Sequence, residues 1–111
     1  MALYDRLLGI DLSNPRIPVH QFQAVVAEWA RGQITAVQAR AAIAAASGAP
    51  LTAGEETEVQ TLVSTVPVGT TTANKADRAL RLLEIDQVLL MVNSGLAPYT
   101  TAAAIKTRLG V

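Results

Sequence analysis

Three times along this chain a glycine is followed, after a short link carrying a hydrophobic residue, by a threonine. The junctions read Gly32-Gln33-Ile34-Thr35, Gly48-Ala49-Pro50-Leu51-Thr52 and Gly95-Leu96-Ala97-Pro98-Tyr99-Thr100. Glycine stops a helix because it takes the left-handed conformation past the last turn without a Cβ clash. Threonine starts one because its hydroxyl accepts from an N–H that the first turn leaves orphaned. Two of the starts are capping boxes, Thr35 with Gln38 and Thr52 with Glu55. A chain punctuated this way is cut into helices, and the unequal spacing of the junctions argues against a solenoid repeat.

Between the junctions the apolar period is helical. Over about 19–31, Val19, Phe22, Val26 and Trp29 form one stripe, with Pro18 suited to the first turn. The next helix, about 36–46, is alanine-rich, with Val37, Ala41 and Ala44 on its apolar side. A third, about 53–66, carries Val59, Leu62, Val63 and Val66, and has Glu55 and Glu56 at its positive end. Pro67, Gly69 and threonines 70–72 read as a loop. The longest helix, about 73–94, becomes apolar nearly all round in its second half, QVLLMV, which predicts a central helix packed on several sides. A short helix over about 101–109 places Ile105 and Leu109 inward, with Lys106 and Arg108 at its negative end. No segment sustains the period of a strand; 63–68 comes nearest, and Pro67 opposes it. The expected fold is all-α: a compact bundle of about four to five short helices around a longer central helix, with an N-terminal arm.

That arm is residues 1–17, and 18–111 is read as a single helical domain. Leu3, Tyr4, Leu7 and Leu8 line a short helix that Gly9 and the Ser13-Asn14-Pro15 turn bring to an end. So many leucines are not left exposed on a free monomer. Either the arm packs on its own core, or it docks into a neighbouring subunit. On the second reading Leu3, Tyr4, Leu7, Leu8 and Ile10 are the candidate partner-docking residues.

Charge and composition exclude several classes of function. Nine acidic residues balance nine basic ones among 111, so there is no electrostatic footprint for nucleic acid or an anionic membrane. Cysteine is absent, which removes disulfides, thiolate metal sites and a cysteine nucleophile. The start, MALYDRLLGIDLS, lacks a basic leader, and Asp5 and Arg6 break its apolar run. The longest strongly apolar run, 88–92, is far short of the roughly 20 residues that span a bilayer. A soluble, non-secreted protein is expected.

Catalytic constellations are also missing. His20, the single histidine, falls in a first helical turn, with no serine in a nucleophile-elbow setting and no metal-spaced Glu/His pair. Glu55, Glu56 and Glu58 are accounted for by the helix dipole, and Glu84 and Asp86 lie on different faces. Gly69 with Thr70–Thr72 lacks the spacing and lysine of a phosphate loop. Helices 19–31 and 36–46 have a helix-turn-helix outline, but the second offers Gln38 and Arg40 among alanines. The basic cluster Lys75, Arg78 and Arg81 lies on another helix, interleaved with Asp77 and Glu84. The expectation is a protein with no enzymatic activity, catalytic residue, cofactor or metal, and no nucleic-acid or membrane partner.

The segments MALYDRLLG, IPVHQFQAVVAEWARGQITAVQARAAI, LTAGEETEVQTLV and VLLMVNSGL, with the closing IKTRLGV, resemble a set of small, uncharacterised bacteriophage virion proteins. The similarity runs over most of the chain and brings no active-site residues with it. It implies a particle-associated structural protein at the head–tail connector or tail-fibre attachment region, with capsid decoration as the nearest alternative and a small helix-turn-helix regulator as the outside one. Its partners would be other virion proteins and, as a homo-oligomer, further copies of itself.

Overall fold

A computed structural model describes residues 2–111. Six helices follow in order: α1 (Ala2–Leu8), α2 (Val19–Ala30), α3 (Ala36–Ser47), α4 (Ala53–Ser64), α5 (Thr72–Asn93) and α6 (Ala102–Leu109). There is no strand among the described residues, so the fold is all-α as the periodicity predicts.

The junctions work as their residues require. In both capping boxes the threonine hydroxyl accepts from the N3 amide: Gln38 N to Thr35 Oγ1 at 3.2 Å and Glu55 N to Thr52 Oγ1 at 3.1 Å. The N3 side chains reciprocate, with Gln38 Oε1 and Glu55 Oε1 each 2.9 Å from the cap amide. Each such cap contributes about 1 kcal/mol. Gly48 closes α3 at φ 78°, a conformation in which any other L-residue would be strained. The third junction is displaced by one residue. Thr100 N is turned back onto Pro98 O at 2.9 Å, so Thr101 caps α6, accepting from Ala104 N at 3.2 Å. The threonine run read as loop also holds a cap, since Thr71 accepts from Asn74 N at 3.1 Å and starts α5.

The core forms around α2 and α5, which pack on each other; α2 also meets α3 and α4, and α5 meets α6 and α1. Val19, Phe22 and Val26 are buried as their stripe predicts, but Trp29 stays partly exposed at the core's edge. The apolar side expected for α3 is the wrong one. Ala39 and Ile43 are buried, whereas Val37 is 66% exposed. Alanine on every side of α3 leaves no period to read, and the larger Ile43, four residues from Ala39 and Ser47, selects the inward face. In α4, Val59 and Leu62 are buried and Val63 partly so, with Val66 buried just past the helix. Ile105 and Leu109 of α6 point inward as expected.

The long helix packs on α1, α2 and α6 through one face: Leu82, Ile85, Val88, Leu89 and Val92 are buried, while Leu83 and Leu90 are exposed and no residue of 72–81 is buried. The N-terminal segment takes the first of its two alternatives and packs on the chain's own core. Leu3, Tyr4, Leu7 and Ile17 are at most 1% exposed, and α1 packs on α4, α5 and α6. A boundary at 17/18 therefore does not separate two packing units.

Candidate interaction surfaces

Of the five residues predicted to dock a partner, the structure removes three from reach. Leu3, Tyr4 and Leu7 lie in the chain's own core, Leu8 is partly buried, and only Ile10 is exposed. The reason is a side chain that sequence reasoning passed over. Arg6 is fully buried, and its Nη1 donates to both carboxylate oxygens of Glu55 at 3.0 Å. Its Nε donates to Pro15 O at 2.9 Å, while its own carbonyl accepts from Gly9 N and Ile17 N. One residue thus ties α1, the loop after it and the first turn of α4 together. Glu55 is fully buried too, and the same Oε1 that holds the Thr52 amide receives Arg6. The capping box had already explained Glu55 in the sequence, so nothing there asked for an arginine 49 residues away.

Burying two charges is costly even when they are paired, so this pair adds little net stability. What it does is fix register: α1 cannot leave without stranding a carboxylate in the core. Arg16 closes the loop from the other side, donating from Nε to Leu7 O at 3.3 Å and from Nη2 to Asn93 Oδ1 at 3.5 Å.

What remains of the docking arm is the tip of that loop. Ile10 is 57% exposed and Leu12 97%. Ser13 N donates to Asp11 Oδ1 at 2.9 Å, which rounds the turn and holds the Asp11 carboxyl below its usual range. A shallow hollow lined by Ala2, Asp5, Ile10, Asp11, Leu12 and Ser13 sits beneath it.

A second hollow, of about 230 Å³, lies between α1, α4 and α6 and is lined by Tyr4, Thr57, Glu58, Thr61, Lys106 and Val111. Tyr4 Oη and Glu58 Oε2 are buried here without a hydrogen-bond partner among the described residues. Burial, and then the nearby Glu58 carboxylate, push the Tyr4 phenol far above its ordinary value. The volume is smaller than the roughly 300–1,000 Å³ of small-molecule pockets.

The other sites considered in the sequence are dispersed. His20 is exposed beside Arg16, Pro18 and Asn93. The basic cluster of α5 is taken apart. Arg81 pairs with Glu84 and donates to Thr65 Oγ1 at 3.0 Å and Leu109 O at 2.6 Å, while Arg78 donates to Gly69 O at 3.3 Å. Arg81 therefore fastens α5 to the ends of α4 and α6. The helix-turn-helix outline of α2 and α3 exists, but α3 turns Val37, Gln38, Ala41, Ala42 and Ala45 to solvent, and Arg40 lies 3.6 Å from Glu56.

Among the described residues no three His, Cys, Asp or Glu side chains are grouped to hold a metal ion, and no helix is long and apolar enough to cross a membrane. Compared with known proteins, the chain matches no family model, no curated protein and no solved structure.

Proposed function

We propose that this chain is a non-enzymatic assembly protein of a bacteriophage particle, an adaptor or accessory component at the tail, neck or fibre-attachment region. The observation that carries the assembly part is the outside of the molecule. Eight large apolar side chains are more than half exposed on a body of 111 residues, Leu12 most of all. Single exposed leucines are ordinary, but a small domain that places several on one helix and one loop tip offers surfaces for other proteins. The assignment to a particle draws on the resemblance of 17–43, 51–63 and the closing segment to small virion proteins. The non-enzymatic reading draws on the dispersal of His20, exposed beside Arg16 and Asn93, and on the structural tasks of Glu55, Glu56 and Glu84.

An assembly role suits a body of this construction. The capping boxes, the Arg6–Glu55 pair and the Arg81 clasp tie its helices to one another. Symmetric repetition in a particle multiplies modest contacts into a stable ring or lattice.

The test is peptide mass spectrometry on gradient-purified particles with heads and tails separated. A low copy number in the tail fraction (roughly 6 or 12, as cyclic symmetry gives) is expected. Many copies travelling with heads would replace the adaptor by a capsid decoration protein. Absence from particles would overturn the virion reading, and retention on heparin at low salt would then favour a DNA-binding regulator.

A further inference from the structure

Helix α5 has two apolar faces, and the fold uses one. Opposite Leu82, Ile85, Val88, Leu89 and Val92 runs a second row: Ala73, Ala76, Leu80, Leu83, Gln87 and Leu90. All six are exposed, with Leu80 at 66%, Leu83 at 64% and Leu90 at 57%. Their steps alternate strictly between three and four residues, the 3.5 period with which one helix meets another along a straight seam. The seam is about 27 Å long. In its first half Ala73, Ala76 and Leu80 all face solvent, and no residue between Thr72 and Arg81 is fully buried.

We propose that this seam pairs with itself: two copies of the chain associate through antiparallel α5 helices about a two-fold axis between positions 81 and 82. This goes beyond the virion reading and does not depend on it. Three features of α5 select that occupant and that direction.

The first is charge. Residues 72–82 contain Lys75, Arg78 and Arg81 against Asp77, an excess of two positive charges. Residues 83–93 contain Glu84 and Asp86 and no base, an excess of two negative ones. Arg81 and Glu84 already pair within the chain, and one charge of each sign then remains in excess. Antiparallel pairing sets each positive half against the partner's negative half and opposes the two helix dipoles. Parallel pairing sets like against like.

The second is side-chain size. Reversed about that axis, Ala73 meets the partner's Leu90, Ala76 meets the partner's Gln87, and Leu80 meets the partner's Leu83. Each layer on the outer seam then sets a small residue against a larger one, and the central layers set leucine against leucine, which keeps the helices evenly spaced. The third is room. Beside Leu90 lies a shallow hollow lined by Gln23, Ala24, Ala27, Arg31 and Asp86, and the two alanines of α2 let the partner's overhanging half-helix approach closely.

The area sets the strength. A strip roughly 27 Å long and one helix wide, with the α2 hollow beside it, is less than the roughly 800 Å² that each partner of a standard interface contributes. The dimer is accordingly weak, with a dissociation constant in the micromolar range or above.

Sedimentation equilibrium of the purified full chain from about 1 µM to 1 mM is the primary test, and a reversible monomer–dimer transition is expected. Leu83→Glu should raise the dissociation constant about a hundredfold. Loss of one buried leucine weakens association about tenfold or more, and the substitution enters the interface twice. Because Leu83 is exposed in the monomer, the helical circular dichroism should not change.

Direction is tested with cysteines, of which the chain has none. Ala73→Cys with Leu90→Cys should cross-link two chains on oxidation, while Ala73→Cys alone should not. The two positions are about 25 Å apart on one helix, so they cannot close within a chain. A monomer at 1 mM, a dimer indifferent to Leu83→Glu, or cross-linking by Ala73→Cys alone would each overturn the proposal. Dimerisation without any virion association would leave it standing while the virion reading fell.

Discussion

α1 and the first half of α5 exchange the roles that their sequences suggest. α1 has seven residues, too few to hold a helix in water, and it begins a segment that looks detachable. Yet Leu3, Tyr4, Arg6 and Leu7 are all buried. The first half of α5 belongs to the longest helix, the natural centre of a bundle, yet none of its residues from 72 to 81 is buried. Hydrophobicity separates them in part: α1 carries four large apolar side chains in seven residues, whereas residues 72–81 carry only Leu80. α1 is held by a polar anchor, the Arg6–Glu55 pair, which draws it into a notch between α4 and α6. The start of α5 is joined to the body through Arg81, which reaches Thr65 and Leu109, and buries none of its residues fully. A short segment gains order from what it can lock into; a long one can keep part of its length outside the core.

That contrast is best broken at Arg6. Arg6→Met leaves the Glu55 carboxylate buried without its cation and should cost about 3–5 kcal/mol by urea denaturation. The double variant Arg6→Met/Glu55→Gln removes both charges, keeps an acceptor for the Thr52 amide, and should recover most of that loss. If the single change costs less than 1 kcal/mol, α1 is not anchored as described.

A matched pair of truncations sharpens the comparison. Leu7→Ala should destabilise by about 2–5 kcal/mol because the side chain is fully buried. Leu80→Ala, at 66% exposure, should stay within about 0.5 kcal/mol when measured on dilute protein, where self-association contributes nothing. Equal effects would mean that the two segments do not differ in burial.

The smallest effect concerns Tyr4. Its phenol is held neutral in the fold, with a pKa well above the ordinary 10.0 it regains on unfolding. The stability this secures is fully present below about pH 10 and declines as pH rises toward the folded value. Relative to Tyr4→Phe, the native chain should lose about 1.4 kcal/mol per pH unit above pH 10. At neutral pH the phenylalanine variant should be no less stable, because Tyr4 Oη has no partner to lose. A flat difference between the two proteins across pH 9–11 would show that Tyr4 is open to solvent.

Much of the fold was legible because it is written locally. Cap residues and apolar period act within three or four positions of themselves, so the starts at Thr35 and Thr52, the stop at Gly48 and the inward rows of α2, α4 and α6 could be read directly. Reading failed where the local signal was degenerate. The alanines of α3 point everywhere and hid the choice of Ile43 over Val37. The apolar surround of the second half of α5 did not say which of its faces the core would take. The choice between the two alternatives for 1–17 was illegible for a different reason, since no window around Leu3 or Leu7 contains Glu55.

By itself, then, the sequence determined that this protein is helical and where most of its helices begin and end. These follow from interactions a few residues long. Only the tertiary structure decided that α1 is core and that the outer seam of α5 is surface. Both depend on which neighbour lies alongside: a buried charge finds its partner across 49 residues, and the core covers one apolar face of α5 and leaves the opposite row outside.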